Sequence, residues 1–266
     1  MAYGWVALLT DYGRRDGFVA ACHGVIARIA PDVRVIDITH DVPPQDIRHG
    51  AAVLAQTVPY LPPAVIVGVV DPGVGTARRG VALAAGESVL VGPDNGLLCW
   101  AAAALGGTKE AVAIVAREYH LPARFGTFDG RDVFAPVAAH LARGTPLADL
   151  GTRADRLVPL AEPEVHVQAG RVETEVLTVD HFGNVQLAAR EPDLDAAALT
   201  SGTVAVEVNG RTTAAVRGSV FADVPAGGVL LYVDGAGHAA VAVNQGDAAS
   251  ALGAHPADRV SLRRAD

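Results

Sequence analysis

The 266-residue sequence predicts an α/β protein with a mostly parallel amino-terminal sheet flanked by helices and a smaller, all-β, barrel-like carboxy-terminal domain. Three observations lead to this prediction. Short apolar, β-branched runs alternate with helix-like segments through the first half of the chain. The second half instead contains closely spaced short strands separated by Gly, Asn and Asp turns. Half of the residues are hydrophobic, which is enough to bury substantial cores.

The first half of the chain supplies the predicted parallel sheet. Two segments, 17–31 and 46–63, space their apolar residues at helical intervals, and these helices are expected to stop near Pro31 and Pro59. Strand candidates surround them: WVALLT, VRVIDIT, VIVGVV and SVLVGP at residues 5–10, 33–39, 65–70 and 88–93.

The second half changes in character from about Leu157. RVETEVLTVDHFGN, TVAVEVNG, VLLYVDGAGHAAVAV and RVSLRR read as short alternating strands, with no convincing long helix between them. We therefore place the boundary near residue 162, which gives an α/β domain over 1–161 and a β-barrel-like domain over 162–266.

Charge and composition exclude several classes of partner. The net charge is −8 and the basic residues are scattered, so we expect neither nucleic-acid nor membrane binding. The first 17 residues lack a basic region and a cleavage site, which favours a cytoplasmic protein. Cys22 and Cys99 belong to no Cys/His ligand cluster, so we expect both to be core residues, with no disulfide framework and no structural zinc.

The motif LLTDYGRRDG places Asp11 where a strand meets a loop and Asp16 near the start of a helix. Ligands of parallel α/β sheets bind at the carboxyl ends of strands, where these acids could accept hydrogen bonds from sugar hydroxyls or from an ammonium group. The structural alternative is that Asp11 is a turn residue and Asp16 a helix N-cap.

The stretch VIVGVVDPGVGTARRG ends a buried strand on Asp71 and brings Arg78 seven residues behind it. A carboxylate beside a guanidinium stays ionised and can orient a water molecule. The alternative is an ordinary Asp-Pro-Gly turn with a surface ion pair.

Two further segments have the composition of a binding site. TFDGRDVFAPVAAHL at 127–141 crowds three charges before an apolar helix that has Pro136 in its first turn, which suggests either a site lip or a capped helix with solvated charges. VDHFGNVQL at 179–187 offers Phe182 and Asn184 for a planar purine, or simply a hairpin, and Phe221 could stack on a base or lie in the core.

Seven motifs together resemble a known family: TDYGRRDGF, THDVPPQDIRHGA, VVDPGVGTARRG, GPDNGLL, TFDGRDVFAPVAAHL, DHFGNV and FAD, in this order. The resemblance is to the S-adenosyl-L-methionine (SAM) hydroxide adenosyltransferases, the adenosine-forming SAM hydrolases also called DUF62, which are relatives of the SAM-dependent fluorinase and chlorinase. It extends from about residue 5 to 250. It implies an α/β domain, a β-barrel-like domain and a homotrimer with SAM between subunits. It also implies attack of water or hydroxide on the ribose C5′, releasing adenosine and methionine without a metal or other cofactor.

The resemblance implies roles for residues of the first domain. By motif match, Asp11 would hold the ribose hydroxyls and Asp16 would contact the methionine ammonium. Asp71 and Arg78 would form part of the group that orients the attacking water. Asn95, in GPDNGLL, is a further candidate for substrate binding.

The resemblance also implies that the second domain contributes to the substrate site. Phe182, Asn184 and Phe221 would belong to an adenine pocket supplied by a neighbouring subunit, and Asp180 of DHFGNV is a further substrate-binding candidate. Relatives usually place Ser-Ser or Ser-Arg, to bind the methionine carboxylate, where this chain has Gly235 and Ala236. Backbone amides would have to replace those side chains, or the substrate is not SAM as such.

A second departure concerns the water-orienting group. The hydrolase pattern is Thr-Phe-His-Gly-Arg-Asp, whereas this chain has Asp129 at the histidine position. A second carboxylate near Asp71 should push one of the two toward its protonated form. We therefore expect slower activity or a shifted pH optimum, with Asp129, Asp71 or His120 as the base.

Two competing functions remain at this level. A halogenase would use the same in-line displacement, but a carboxylate at the nucleophile site repels halide. Fluorinase-like relatives have an uncharged aromatic residue where Asp71 lies, and an extra loop that GVALAAGESVL lacks. The other alternative is a non-catalytic binder of SAM or adenosine that has lost its water-activating group.

Overall fold

The computed structural model describes residues 2–122 and 126–265. The chain divides into two compact units, Met1–Leu160 and Ala161–Asp266. Unit 1 has strands β1 (Trp5–Thr10), β2 (Arg34–Thr39), β3 (Val65–Val69), β4 (Gly80–Ala85), β5 (Ser88–Pro93), β6 (Thr108–Ile114) and β7 (Gly151–Arg153). Its α-helices are α1 (Phe18–Ile29), α2 (Ile47–Thr57), α3 (Cys99–Ala104) and α4 (Ala135–Ala142), with a π-helical turn at Gly130–Phe134 and 3₁₀ turns at Val58–Tyr60, Arg117–Tyr119 and Leu147–Leu150.

The seven strands of unit 1 form one sheet in the order β2-β1-β3-β5-β4-β6-β7. Strands β2, β1, β3 and β5 run parallel to one another. β4 pairs antiparallel with β5 and with β6, and β7 pairs antiparallel with β6. The carboxyl ends of β1 and β3 therefore lie next to each other at the same end of the sheet.

Helices cover both faces of this sheet. α1 and α4 pack together on the face that carries Val6, Leu8 and Val67. α2 and α3 pack together on the opposite face, where Leu54 of α2 and Leu97 and Leu98, which immediately precede α3, lie next to Gly68. Because both faces are covered, β1 and β3 are buried almost throughout and read as continuous apolar runs rather than as alternating ones.

The predicted α/β class is confirmed, and the sheet is more mixed than the sequence indicated. The four predicted strands and the helices predicted over 17–31 and 46–63 are present. β4, β6 and β7 were not predicted, and they add the antiparallel pairings. β4 reads GVALAA, whose alanines have low strand propensity, and it forms a hairpin with β5 that is closed at Gly86, where φ is +55°.

Unit 2 is a closed β-barrel. Seven strands follow the order β10-β14-β13-β12-β11-β15-β9, the pairing of β9 with β10 closes the ring, and β8 pairs outside it with β9. The strands are β8 (His166–Gln168), β9 (Arg171–Val179), β10 (Val185–Arg190), β11 (Thr203–Val208), β12 (Arg211–Arg217), β13 (Val229–Val233), β14 (His238–Val243) and β15 (Arg259–Arg264). Two short helices, α5 (Glu191–Ala196) and α6 (Ala248–Leu252), and a 3₁₀ turn at Phe221–Asp223 complete the unit.

The two cysteines differ in their burial. Cys22 is buried in the core of unit 1, whereas Cys99 is half-buried, so the expectation of two core cysteines is right for Cys22 alone. The two form no disulfide with one another. Within the described residues, no helix combines the length and the apolarity needed to cross a membrane.

The close contact between β3 and β5 can be tested at Gly92, where a Cβ would overlap the carbonyl oxygen of Gly68. We expect Gly92→Ala to lower the free energy of unfolding by about 3 kcal/mol, because the overlap is with backbone that cannot move aside. Both tryptophans, Trp5 and Trp100, lie in unit 1, so urea unfolding followed by tryptophan fluorescence reports on this unit.

The matched control is Gly24→Ala, since a Cβ at this position in α1 meets nothing within 4 Å. We expect this control to raise stability by about 0.5–1 kcal/mol, the usual gain for Gly to Ala inside a helix. A Gly92→Ala protein that unfolds at the wild-type urea concentration would contradict the packing described.

Candidate active site

A cavity of about 690 Å³ lies at the edge of the unit 1 sheet where β1 and β3 end. Asp11 directly follows β1, and Asp71 lies two residues beyond the end of β3. Both acids line the cavity. The parallel pairing of β1 with β3 is therefore what brings together two acids that are 60 positions apart in the chain.

A tightly folded loop returns Arg78 to Asp71. The amide of Thr76 donates to the carbonyl of Gly73 at 3.2 Å, and the Thr76 hydroxyl accepts the amide of Arg78 at 3.2 Å. Gly75 has φ +78°, a conformation that favours glycine. Gly75 thus allows the turn that brings Arg78 back to Asp71.

Arg78 binds two carboxylates at once. Its Nε donates to Asp71 Oδ1 at 3.1 Å, and its Nη2 donates to Asp71 Oδ2 and, at 2.7 Å, to Asp129 Oδ2. The guanidinium also lies 5.5 Å from the ring centre of Phe134. Sequence reasoning expected Asp71, Arg78 and Asp129 to act together, and the structure brings all three into contact.

Burial distinguishes this cluster from an ordinary surface ion pair. The side chains of Asp71 and Arg78 are 6% and 10% exposed, and that of Asp129 is 23% exposed. The alternative interpretation of a surface ion pair is therefore wrong, although the segment that follows Asp71 is indeed a turn. Buried charge pairs carry a desolvation cost, so this arrangement is retained at the expense of stability.

Burial raises the pKa of Asp71 above the ordinary value of an aspartate. The charge of Arg78 and its hydrogen bonds oppose this shift, the charge of Asp129 adds to it, and a hydrogen bond from the Gly73 backbone opposes it. The expectation that Asp129 pushes its neighbour toward protonation is confirmed in direction, although burial is the larger cause. Asp71 is thus a more basic carboxylate than an exposed one.

Asp129 is positioned by the π-helical turn that begins at the next residue. A Cβ at Gly130 would overlap the Tyr12 hydroxyl, so a larger residue here would displace the Tyr12 side chain. Pro136 then occupies the first turn of α4, as predicted. π-Helical turns often occur at functional sites, where they direct a side chain that a regular helix would place elsewhere.

An aromatic wall that sequence reasoning missed lines the same cavity. The rings of Tyr12, Phe18 and Phe128 lie 5.2–6.0 Å apart in tilted and edge-on arrangements. The Arg131 guanidinium lies 4.9 Å from the Phe128 ring centre, and its charge is paired with Asp132 at 2.6 Å. The available signal was that all three rings lie within the quoted motifs TDYGRRDGF and TFDGRDVFAPVAAHL.

The two acids of LLTDYGRRDG differ in their surroundings. Asp11 lines the cavity, and its Oδ2 accepts the amide of Gln45 at 2.9 Å. Gln45 has φ +67°, an uncommon conformation for a non-glycine residue. Asp16 is exposed and is not among the described residues that line the cavity. The N-cap of α1 is Gly17, so the interpretation of Asp16 as a helix cap is wrong.

Asn95 lies behind the cluster rather than in the cavity. Its side-chain amide donates to the carbonyl of Val70 at 2.8 Å, and its Oδ1 accepts the amide of Leu97 at 3.2 Å. It is not among the described lining residues. Since Val70 immediately precedes Asp71, the structure gives Asn95 a positioning contact, and its contact with substrate remains a prediction.

The predicted residues of unit 2 form a turn and an exposed aromatic surface. Asp180 Oδ1 accepts the amides of Phe182 and Asn184 at 2.9 Å, and its Oδ2 accepts the Asn184 side-chain amide at 2.8 Å. Phe182 is 75% exposed. Asp180 therefore holds the turn, and the Phe182 ring is presented to its surroundings.

Phe221 is also exposed, so the alternative that placed it in the core is wrong. Its ring centre lies 5.5 Å from that of Tyr232. Burial, with smaller contributions from the charges of Asp180 and Asp234, raises the pKa of Tyr232 to about 12, so this phenol stays protonated at neutral pH. The turn and this aromatic pair therefore share one region of the barrel.

The loop that lacks the serines of relatives is organised by its own aspartate. Asp234 Oδ1 accepts the amides of Ala236 and His238 at 2.8 and 3.0 Å, and the Asp234 carbonyl accepts the amide of Gly237 at 3.0 Å. These amides are already engaged within the loop. The suggestion that backbone amides bind a carboxylate here therefore loses most of its donors.

His120 is electrostatically coupled to the cluster. Burial and the charge of Arg117 lower its pKa, and the charges of Asp129 and Glu118 oppose the shift. Its Nε2 is buried without a hydrogen-bond partner among the described residues. The imidazole is thus neutral at neutral pH, as a base requires, but His120 is not among the described lining residues.

The neighbouring Arg79 has a different role. Its Nε donates to Asp94 Oδ2 at 2.6 Å, and Asp94 Oδ1 accepts the amide of Val158 at 2.8 Å. Residues 78 and 79 immediately precede β4 and their side chains point in opposite directions, as successive residues of extended chain do. Arg78 therefore binds the two carboxylates at the cavity, whereas Arg79 binds Asp94, which accepts a backbone amide near the end of unit 1.

Comparison with known proteins identifies the family. The model of the SAM hydroxide adenosyltransferase N-terminal domain matches residues 6–151, and that of the C-terminal domain matches residues 174–261. The chain belongs to the SAM hydroxide adenosyltransferase family. The resemblance found in the motifs is thereby confirmed.

Three proteins that are similar to this chain illustrate the family relationship. An (R)-S-adenosyl-L-methionine hydrolase of Salinispora tropica is 56% identical over 260 residues, covering 97% of both chains. A fluorinase of Actinoplanes is 30% identical and covers 73% of this chain and 74% of its own. The crystal structure of an uncharacterized conserved protein from Thermotoga maritima superimposes with a TM-score of 0.92 at 36% identity, covering 97% of this chain and all of that one.

The pKa of Asp71 gives a direct test of the cluster. We expect Asp129→Asn to lower the pKa of Asp71, because a neighbouring negative charge is removed, and Arg78→Met to raise it, because a positive charge is removed. The measurement is a ¹³C NMR titration of the Asp71 carboxyl carbon.

The control for this titration is Asp155→Asn, which removes one negative charge from an exposed ion pair with Arg153. It should leave the pKa of Asp71 unchanged. Equal titration of Asp71 in the wild type and in Asp129→Asn would show that the two carboxylates are not coupled.

Proposed function

We propose that this protein hydrolyses S-adenosyl-L-methionine to adenosine and L-methionine. The observation that carries the proposal is the Asp71–Arg78–Asp129 cluster at the wall of a cavity that is large enough for a nucleoside. Membership of the SAM hydroxide adenosyltransferase family and 56% identity to a SAM hydrolase over nearly the whole chain support the same reaction.

The charge of the cluster suits a sulfonium substrate. Two carboxylates and one guanidinium leave a formal charge of −1, which attracts a cation and holds a water molecule through hydrogen bonds that the carboxylates accept. The sulfonium is already a good leaving group. The protein therefore has to align the water with the C–S bond and to limit the access of bulk solvent, without acid catalysis.

The bond changes balance without a further reactant. The water oxygen forms a bond to the ribose C5′, and the C5′–S bond breaks with its electron pair going to sulfur, which becomes the thioether of methionine. One proton of the water stays on the 5′-hydroxyl of adenosine, and the other passes to a carboxylate of the cluster and from there to solvent. The raised pKa of Asp71 makes it a better acceptor for that proton than an exposed aspartate.

A halogenase is the less well supported alternative. The nucleophile site would have to accept a halide beside Asp71 and Asp129, and both carboxylates would repel it. The fluorinase relative is also more distant than the hydrolase relative, at 30% against 56% identity.

A non-catalytic binder is the alternative from another class. It was motivated by possible loss of the water-activating group, yet the cluster has two carboxylates held by one buried guanidinium. The group is altered relative to the hydrolase pattern rather than lost. This favours turnover.

We also propose that the substrate is the (R) epimer of the sulfonium, since the hydrolase relative is named for (R)-S-adenosyl-L-methionine. A homotrimer with the substrate between subunits remains our proposal. It is supported by the exposed Phe182 and Phe221 rings of the barrel, which offer stacking surfaces for a base. A cytoplasmic location and a reaction that uses no metal or other cofactor likewise remain predictions.

A product assay tests the proposed reaction. Pure protein is incubated separately with the (R) and (S) epimers of SAM in chloride buffer, and the products are separated by chromatography with mass detection. We expect adenosine and methionine, formed faster from the (R) epimer. 5′-Chloro-5′-deoxyadenosine would indicate a halogenase, and tightly bound but unconsumed SAM would indicate a binder. Equal rates for the two epimers would refute the stereochemical part alone.

The two adjacent arginines provide a matched test of the cluster. We expect Arg78→Met to lower kcat about a hundredfold or more, because a misplaced nucleophile costs roughly that much. Arg79→Met removes the pairing with Asp94 outside the cavity, so it should lower thermal stability while kcat stays within a few-fold of the wild type. A similar kcat for both variants, measured on folded protein, would contradict the assignment.

A further inference from the structure

Three side chains with metal-binding groups meet outside the cavity at the edge of the unit 1 sheet. His23 lies on α1, Asp37 lies on β2, and His40 follows β2 by one residue. Asp37 Oδ1 lies 2.8 Å from His23 Nε2 and 3.0 Å from His40 Nε2. Each residue contributes one donor atom, and the three atoms lie within 4.8 Å of one another.

His40 is held in a fixed orientation at this point. Its side chain is 2% exposed, and its Nδ1 lies 2.9 Å from Thr10 Oγ1, which also accepts the amide of Tyr12 at 3.2 Å. Metal-binding histidines usually have their second ring nitrogen fixed by such a partner. Thr10 is therefore the group that would set the tautomer and the direction of Nε2.

The Nε2 atom of His40 lies beside the Asp37 carboxylate without a well-aligned hydrogen bond. This nitrogen is buried and makes no hydrogen bond in the described structure, although Asp37 Oδ1 is only 3.0 Å away. At that separation, the missing hydrogen bond means that the ring nitrogen points past the oxygen. A buried nitrogen that lacks a well-aligned partner and lies beside a carboxylate is a pair of groups that a bound cation would satisfy.

We propose that His23, Asp37 and His40 bind one divalent first-row transition-metal ion, with Zn²⁺ as the preferred ion. Two imidazoles and a carboxylate suit Zn²⁺, and a tetrahedral ion with bonds of about 2.0–2.1 Å holds its ligand atoms about 3.3 Å apart. The two imidazole–carboxylate separations, 2.8 and 3.0 Å, need to widen by only a few tenths of an ångström, and the two imidazole nitrogens lie within 4.8 Å of each other. His23 and Asp37 are each 36% exposed, so a water molecule can occupy the fourth position.

The site lies outside the reaction cavity, since none of its three ligands lines that cavity. The ion would connect α1 to the end of β2. It would also help to fix the loop that follows β1. The His40 carbonyl accepts the amide of Gly13 at 2.7 Å, and Gly13 lies two residues after Asp11. Neither cysteine takes part in this site, which uses histidine and aspartate.

The test uses the full chain after treatment with a chelator and dialysis. Zn²⁺ binding is measured by titration calorimetry, and Co²⁺ is added separately as a spectroscopic probe, because four-coordinate Co²⁺ absorbs visible light far more strongly than six-coordinate Co²⁺. We expect one Zn²⁺ per chain, intense Co²⁺ bands, and a rise in melting temperature with Zn²⁺.

Two variants remove different ligands, and one variant is the control. His23→Ala and Asp37→Asn should each weaken Zn²⁺ binding at least about tenfold and abolish the intense Co²⁺ bands. His255→Ala removes a histidine from a pair with Asp258 that has no third ligand in the described residues, so it should bind as the wild type does.

Two results would overturn the proposal. One is a Zn²⁺ affinity of the wild type that equals the Zn²⁺ affinity of folded His23→Ala or Asp37→Asn. This would show that any bound zinc is held elsewhere. The other is a wild-type Co²⁺ spectrum of the weak six-coordinate kind, which needs no variant to interpret. Either would leave His23, Asp37 and His40 as an ion-paired cluster without metal.

Discussion

The pairing of one guanidinium, that of Arg78, with the carboxylates of Asp71 and Asp129 is the interaction on which the rest of the site depends. Without the arginine, two negative charges would face each other at a largely buried wall, and one of them would take up a proton. With it, the three groups carry a formal charge of −1. That charge state accepts hydrogen bonds from water and attracts a sulfonium.

The cluster carries a cost in stability that varies with pH. Because the folded pKa of Asp71 is raised above its unfolded value, protonation of Asp71 favours the folded state. Its contribution to stability is therefore present at acid pH and is lost as the pH rises through the folded pKa. The ionised form that the reaction needs is the less stable form of the fold. Burial of the cluster thus serves the chemistry rather than the stability of unit 1.

Much of this arrangement could be predicted from the sequence, because the strands that position it are strongly apolar. β1 and β3 end next to Asp11 and Asp71, and periodicity locates both ends. Periodicity cannot show that the turn at Gly130 brings Asp129 into contact with Arg78, since that contact joins residues 51 positions apart. Nor could it show that Asp16 stays outside the cavity, because a loop acid next to a site motif looks the same in either place.

Two other features were beyond sequence reasoning for the same physical reason. The aromatic wall forms because β1's loop, the start of α1 and the loop before α4 meet in space, and no local pattern records that meeting. The His23, Asp37 and His40 group likewise joins a helix to an edge strand. β4, β6 and β7 were missed because β4 is alanine-rich, β6 begins with three exposed polar residues and β7 is only three residues long, although their pairing completes the sheet.

The most direct test of the account is a turnover in H₂¹⁸O with the products analysed by mass spectrometry. Attack of cluster-bound water on C5′ predicts one ¹⁸O atom in adenosine, at the 5′ oxygen, and none in methionine. Adenosine without the label, or label in the amino-acid product, would show that water does not attack C5′. The role assigned to Asp71, Arg78 and Asp129 would then be wrong.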